Sequence, residues 1–142
     1  MHRTGVGEWS DKVEDLLVRC EAASADPASL LNDLHRLLET GPAPICGPVR
    51  PAISRSALQD LLDAGAAESA ALRLVSRSTY MLSRGGEGLV IASVLMPHAD
   101  CDYSFSAFSE AVALSGALAT CLHEQVMAEA GKDPANPRLK QS

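Results

Sequence analysis

Thr79-Tyr80-Met81-Leu82-Ser83-Arg84-Gly85-Gly86-Glu87-Gly88-Leu89-Val90-Ile91-Ala92-Ser93-Val94-Leu95-Met96 is the stretch on which the fold turns. Gly85-Gly86-Glu87-Gly88 is the strongest turn signal in the chain, and strand-forming residues flank it. Thr79–Ser83 and Leu89–Met96 therefore read as the arms of an antiparallel β-hairpin, closed by Pro97. The second arm is apolar at nearly every position, so it belongs at the centre of a sheet or between two layers. An isolated hairpin is marginal in water. Helices must pack on it or a third strand must join it, and Tyr103–Phe105 is the candidate edge strand.

Downstream, Phe108, Val112, Leu114, Leu118, Cys121, Leu122 and Val126 recur at helical spacing, with Ser104 or Ser106 as the expected cap and Gly131 as the end. Ala111, Ala113, Ser115, Gly116, Ala117 and Ala119 give this helix a small face that permits close approach to a neighbour. Upstream, Ser54 or Ser56 caps a third helix, and Ser56 with Gln59 fits a capping box. Ala64-Gly65-Ala66-Ala67 weakens its centre, leaving open one helix or two short ones.

The first half is helical and acidic. Ser10 caps a first helix over about 11–24, with Val13, Leu16, Leu17, Cys20 and Ala23 on one face and Trp9 tucked against it. Asp26-Pro27 restarts a second, with Leu30, Leu31, Leu34, Leu37 and Leu38. These two form a short antiparallel pair. The run Gly41-Pro42-Ala43-Pro44-Ile45-Cys46-Gly47-Pro48-Val49-Arg50-Pro51 reads as an extended connection, because its prolines and glycines disfavour helix and interior strand. The division is then a helical hairpin or arm at 1–41, a linker at 42–53, an α+β domain at 54–131 and a flexible tail at 132–142, with residues 1–9 as a flexible lead. The fold class is α+β: a helical pair, then helix, hairpin (three strands if 103–105 joins) and helix, in a layered sandwich.

Composition excludes several classes. The chain has 142 residues, 46% apolar and 21% charged, which suits one folded domain. Lys and Arg number 12 against 18 Asp and Glu, the wrong balance for neutralising phosphates, so no nucleic-acid partner is expected. The longest apolar run, Ala111–Leu122, is too short to span a membrane, and the N-terminus lacks a signal-peptide core, so a cytoplasmic protein is expected. Cys20, Cys46, Cys101 and Cys121 show no metal or redox spacing and read as free thiols.

Chemistry-bearing groups are sparse. His98, Cys101 and His123 could offer zinc ligands, but Cys121 and His123, two apart on a helix, point to different faces. Cys101 with His98 is a conceivable thiol–imidazole pair, opposed by Asp100 and Asp102, which disfavour a thiolate. Arg84-Gly85-Gly86-Glu87-Gly88 lies between strands and is no phosphate loop, and neither G-x-S-x-G nor S-x-x-K occurs. From Gly85 to Gly131 there are no cations and six acids, whereas Arg50, Arg55, Arg73, Arg77 and Arg84 crowd the preceding stretch. Opposite-signed faces of this kind suit self-association. Leu82, Tyr103 and Phe105 are the candidate interface, and Tyr80, Met81, Met96 and Phe108 would line a ligand pocket between sheet and helices.

Glu68-Ser69-Ala70-Ala71-Leu72-Arg73-Leu74-Val75, the hairpin, and Ala111-Val112-Ala113-Leu114-Ser115-Gly116-Ala117-Leu118 together resemble the small phage-encoded ABA-sandwich proteins over about residues 57–130. In that family an aromatic pair opens the first strand. Here Ser78-Thr79-Tyr80 stands there instead. The resemblance implies a phage or prophage accessory protein without catalytic residues, and carries over no site. The expectation is a non-enzymatic protein-interaction module without cofactor, partnered by itself or another protein, most simply as a homo-oligomer. The alternatives are a small-ligand sensor and a thiol- or zinc-dependent enzyme.

Overall fold

The computed structural model describes residues 5–22 and 25–131. Residues 1–4 of the expected lead, Ala23 and Ser24 of the expected first helix and the expected tail at 132–142 lie outside these. The elements are α1 (Gly5–Glu21), α2 (Pro27–Thr40), α3 (Ala43–Cys46), α4 (Arg55–Asp63), α5 (Ala67–Leu74), β1 (Thr79–Arg84), β2 (Val90–Leu95), β3 (Tyr103–Ala107) and α6 (Glu110–Gly131). The fold is α+β, with helices packed on a three-stranded antiparallel sheet of order β1-β2-β3.

The expected hairpin is present. Thr79 pairs with Leu95 and Arg84 with Val90, and Glu87 and Gly88 take positive φ to close the turn. The apolar second arm is the central strand. Val90, Ala92, Val94 and the following Met96 point inward and are buried, whereas Ile91, Ser93 and Leu95 face outward and are half-buried. The third strand reaches Ala107, two residues beyond the expectation, because its pairing with β2 continues from Tyr103–Val94 to Ala107–Val90. That extension displaces the start of the last helix. Ser109, not Ser104 or Ser106, caps it, its Oγ accepting from the Val112 N–H at 3.1 Å.

α6 is the hub. Ala111 to Ala119 are all buried without a break, so the helix has no wet side over this length. β2 and β3 cover one side, and α1, α2 and α5 cover the others. The small face works as its residues suggest. A Cβ built on Gly116 would stand 2.3–2.7 Å from the Phe105 ring, so only glycine lets α6 seat on β3.

The Pro- and Gly-rich segment is not an extended connector. It makes the short helix α3 and a 3₁₀ turn over Gly47–Val49, and Ile45, Cys46, Val49 and Ile53 are buried with the rest of the core. Proline fits at the first turn of a helix, where its missing N–H has no partner to lose. Arg50 fastens this segment. Its guanidinium donates to the carbonyls of Leu38 and Glu39 at 2.7 Å and of Gly41 at 3.0 Å, satisfying the open end of α2. The fully buried His35 donates its Nε2–H to the Ile53 carbonyl at 2.8 Å, a second tie between α2 and the segment.

Other boundaries move for local reasons. α1 begins at Gly5, so Ser10 is interior. Trp9 lies within α1 and packs on the end of α2, where its indole N–H donates to the Leu37 carbonyl at 2.8 Å. α4 and α5 are separate helices, broken at Gly65 with φ +76°. Ser54 is the cap, its Oγ accepting from Ala57 N–H at 3.1 Å, and Gln59 turns away to Asn32 and Asp63 rather than closing a capping box.

Gly116→Ala is expected to destabilise the chain by about 1–3 kcal/mol, overpacking outweighing the roughly 1 kcal/mol that alanine gains in a helix interior. Denaturant unfolding measures this, and Phe105→Leu in the same chain should restore part of the loss. Arg50→Met keeps the aliphatic stem and removes the carbonyl caps. It should cost about 1–3 kcal/mol in the same measurement.

Candidate functional site: the open edge of the sheet

β1 touches the fold principally through β2. Five of its six residues are exposed, including Tyr80 at 42% and Met81 at 68%. The direction of its backbone groups follows from one bond. Gly85 N–H donates to the Leu89 carbonyl at 2.8 Å, which makes this a hydrogen-bonded pair of the ladder. Hydrogen-bonded pairs recur every second residue in an antiparallel ladder, so Thr79, Met81 and Ser83 bond to β2. The N–H and C=O of Tyr80, Leu82 and Arg84 therefore point away from the sheet. No proline, lysine or bulge interrupts Thr79–Arg84, which are the usual protections of an edge.

The two faces of β1 differ. Tyr80, Leu82 and Arg84 share the inner face with Val94, Ala92 and Val90. Leu82 is half-buried, and Arg84 pairs with Glu110 in the first turn of α6, where a carboxylate also suits the helix dipole. Thr79, Met81 and Ser83 share the outer face with Leu95, Ser93 and Ile91. A shallow cavity of about 250 Å³ opens there, lined by Thr79, Met81, Ser93 and Leu95 and rimmed by Asp100 and Asp102. At the opposite edge Ser104 and Ser106 of β3 are exposed, Ser106 beside a separate cavity of about 320 Å³ walled by Ala22, Ala25 and Phe108, but the strand as a whole is less exposed than β1 and ends in the buried Ala107.

The expected pocket residues are not brought together. Tyr80 and Met81 stand at the first cavity, Met96 is buried in the core, and Phe108, 71% exposed, borders the second. Neighbours on one strand face opposite sides, which parts Tyr80 from Met81 within the same cavity wall. Of the expected interface residues, only Leu82 lies on the open edge. Phe105 is spent on Gly116, and Tyr103 is half-buried with its hydroxyl 3.2 Å from the Cys101 thiol.

The expected metal ligands are also apart. His123 faces α1 and bonds Glu14 at 3.3 Å, whereas Cys121, two residues earlier, turns to the sheet and donates to the Val94 carbonyl at 3.2 Å. His98 and Cys101 are exposed in the β2–β3 loop, His98 with φ +65°. Among the described residues no group of three His, Cys, Asp or Glu could hold a metal ion.

All cysteines are free. Burial pushes the thiols of Cys20 and Cys46 up to about 11 and that of Cys121 to about 12. Tyr103 rises to about 12, first through its hydrogen bond with Cys101. No helix among the described residues is long and apolar enough to cross a membrane. No family model, curated protein or solved structure matches the chain.

A thiol reagent at neutral pH should modify Cys101 quickly in the native chain and Cys20, Cys46 and Cys121 only on unfolding. A raised folded-state value stabilises the fold below the ordinary thiol value of 9.0 and loses that contribution as pH climbs toward 12. Cys121→Ala should flatten this alkaline decline in unfolding experiments.

Proposed function

We propose that this chain is a non-enzymatic protein-interaction module that binds a partner strand at the β1 edge. The observation that carries the reading is the row of backbone groups at Tyr80, Leu82 and Arg84 that no strand pairs among the described residues, on a strand with little cover. Strand addition takes its affinity from main-chain hydrogen bonds and its selectivity from alternate side chains. Here Tyr80 and Leu82 offer apolar contact on one face and Met81 on the other.

Among the described residues His98, Cys101 and His123 are not gathered, which supports the interaction reading over the thiol- or zinc-dependent one. The accessory, phage-type role implied by the ABA-sandwich resemblance is compatible with such a module. Free thiols suit a reducing compartment, so cytoplasmic action belongs to the same reading, as does a protein rather than nucleic-acid partner.

Leu82→Pro tests it. The Leu82 N–H points outward, so proline there removes no bond to β2 while it blocks the edge. Proteins that co-purify with the tagged chain from cells that make it should fall about tenfold or more with the variant, while circular dichroism keeps the native helix content. Unchanged partners on a folded variant contradict the reading.

A further inference from the structure

We propose that the occupant of the β1 edge is a second copy of this chain, paired antiparallel about a two-fold axis beside Leu82. The proposal deepens the strand-addition reading and rests on it. Two antiparallel strands lying side by side in one sheet are related by an axis normal to that sheet. The axis keeps inner faces with inner faces, so each residue opposes one of the same parity in the second copy. The outward groups already belong to one parity, namely Tyr80, Leu82 and Arg84.

With Leu82 opposite Leu82, all of these groups are used. Leu82 exchanges N–H···O bonds with its counterpart, and Tyr80 exchanges them with Arg84 of the second copy. The side chains agree with this register. On the inner face two half-buried leucines meet at the axis and extend the apolar layer beyond α6. Each Tyr80 ring faces an Arg84 guanidinium, which attracts its π-face. Centring the pair on Met81 instead sets Arg84 against Ser78 and loses that contact.

A self-match of its two ends distinguishes a second copy from an arbitrary strand. One end of β1 carries the Tyr80 ring on the inner face, while Asp100 and Asp102 border the outer face. The other end carries Arg84, whose side chain remains 65% exposed beside Glu110. Antiparallel self-pairing lays Arg84 of each copy beside Tyr80 of the other on the same face, and symmetry makes the match twice. A foreign strand would need to reproduce both ends in the same order.

Sedimentation of the full chain carrying Cys101→Ser tests this, with Leu82→Cys or Met81→Cys added for crosslinking under a mild oxidant. The expected result is a dimer that dissociates on dilution. Leu82→Cys should crosslink, because a hydrogen-bonded pair sets its Cα atoms about 5.5 Å apart, within disulfide reach. Met81→Cys should not, since Met81 opposes Ser83 and its own counterpart lies diagonally, roughly 8 Å away. Met81→Lys, on an exposed side chain that cannot disturb the core, should raise the dimer dissociation constant about tenfold or more.

A chain that is monomeric at every concentration overturns the proposal, as does a dimer indifferent to both Leu82→Pro and Met81→Lys. Crosslinking through Met81→Cys in place of Leu82→Cys overturns the register. If the chain is monomeric but its cellular partners are still lost with Leu82→Pro, only the second-copy assignment falls. If partners and dimer both ignore Leu82→Pro, the strand-addition reading falls with it.

Discussion

A helix that is apolar on every side cannot face water, and α6 is such a helix from Ala111 to Ala119. Everything else is arranged to enclose it. The sheet supplies one wall, with Phe105 seated on Gly116, and α1, α2 and α5 supply the rest. Width then limits what one helix can cover. An α-helix is about 10 Å across with its side chains, and neighbouring strands are about 4.8 Å apart, so one helix covers about two strands. Those strands are β2 and β3. The third, β1, extends past the helix. Its inner face is therefore left with little cover.

The same demand explains why the N-terminal half joins the core. Without α1 and α2, α6 would expose its far side. Their attachment uses polar bonds that finish backbone groups left open by helix ends. Leu37 O accepts from Trp9 and from the Gly41 N–H, and the carbonyls of Leu38, Glu39 and Gly41 accept from Arg50. Gly41 is required where these parts converge, because a Cβ there would meet Cys46 Sγ at 2.4 Å and the Trp9 ring at 2.7 Å. Arg19 ties α1 to Asp33 at 2.6 Å and Ser29 at 2.7 Å on the rim of the same helix pair.

The hairpin could be read from sequence because its turn is glycine-rich and its flanks are strand formers, both local signals. The start of α2 was equally plain, since Asp26 caps through its own carboxylate and Pro27 follows. The start of α6 was not. Ser104, Ser106 and Ser109 are equally good caps locally, and the choice is made by the pairing of β3 with β2 out to Ala107. The prolines of residues 42–51 suggested an extended chain, but proline at a helix start is as favourable as in a connector, and the buried Ile45, Cys46 and Val49 decide between them. The candidate pocket failed for a similar reason. Met96 and Phe108 are near Met81 in sequence and composition, while strand alternation and the turn before α6 send them to different places. The absence of lysine and proline from Thr79–Arg84 was visible from the start, but its meaning depends on strand order, which no local signal reveals.

Residue-resolved amide hydrogen exchange along β1 tests the central claim most directly. If β1 is an open edge in the stated register, Met81 and Ser83 amides are protected at every concentration. Tyr80, Leu82 and Arg84 amides then exchange fast in dilute protein and gain protection as concentration rises. Uniform protection along the strand in dilute protein, or the opposite alternation, would contradict it.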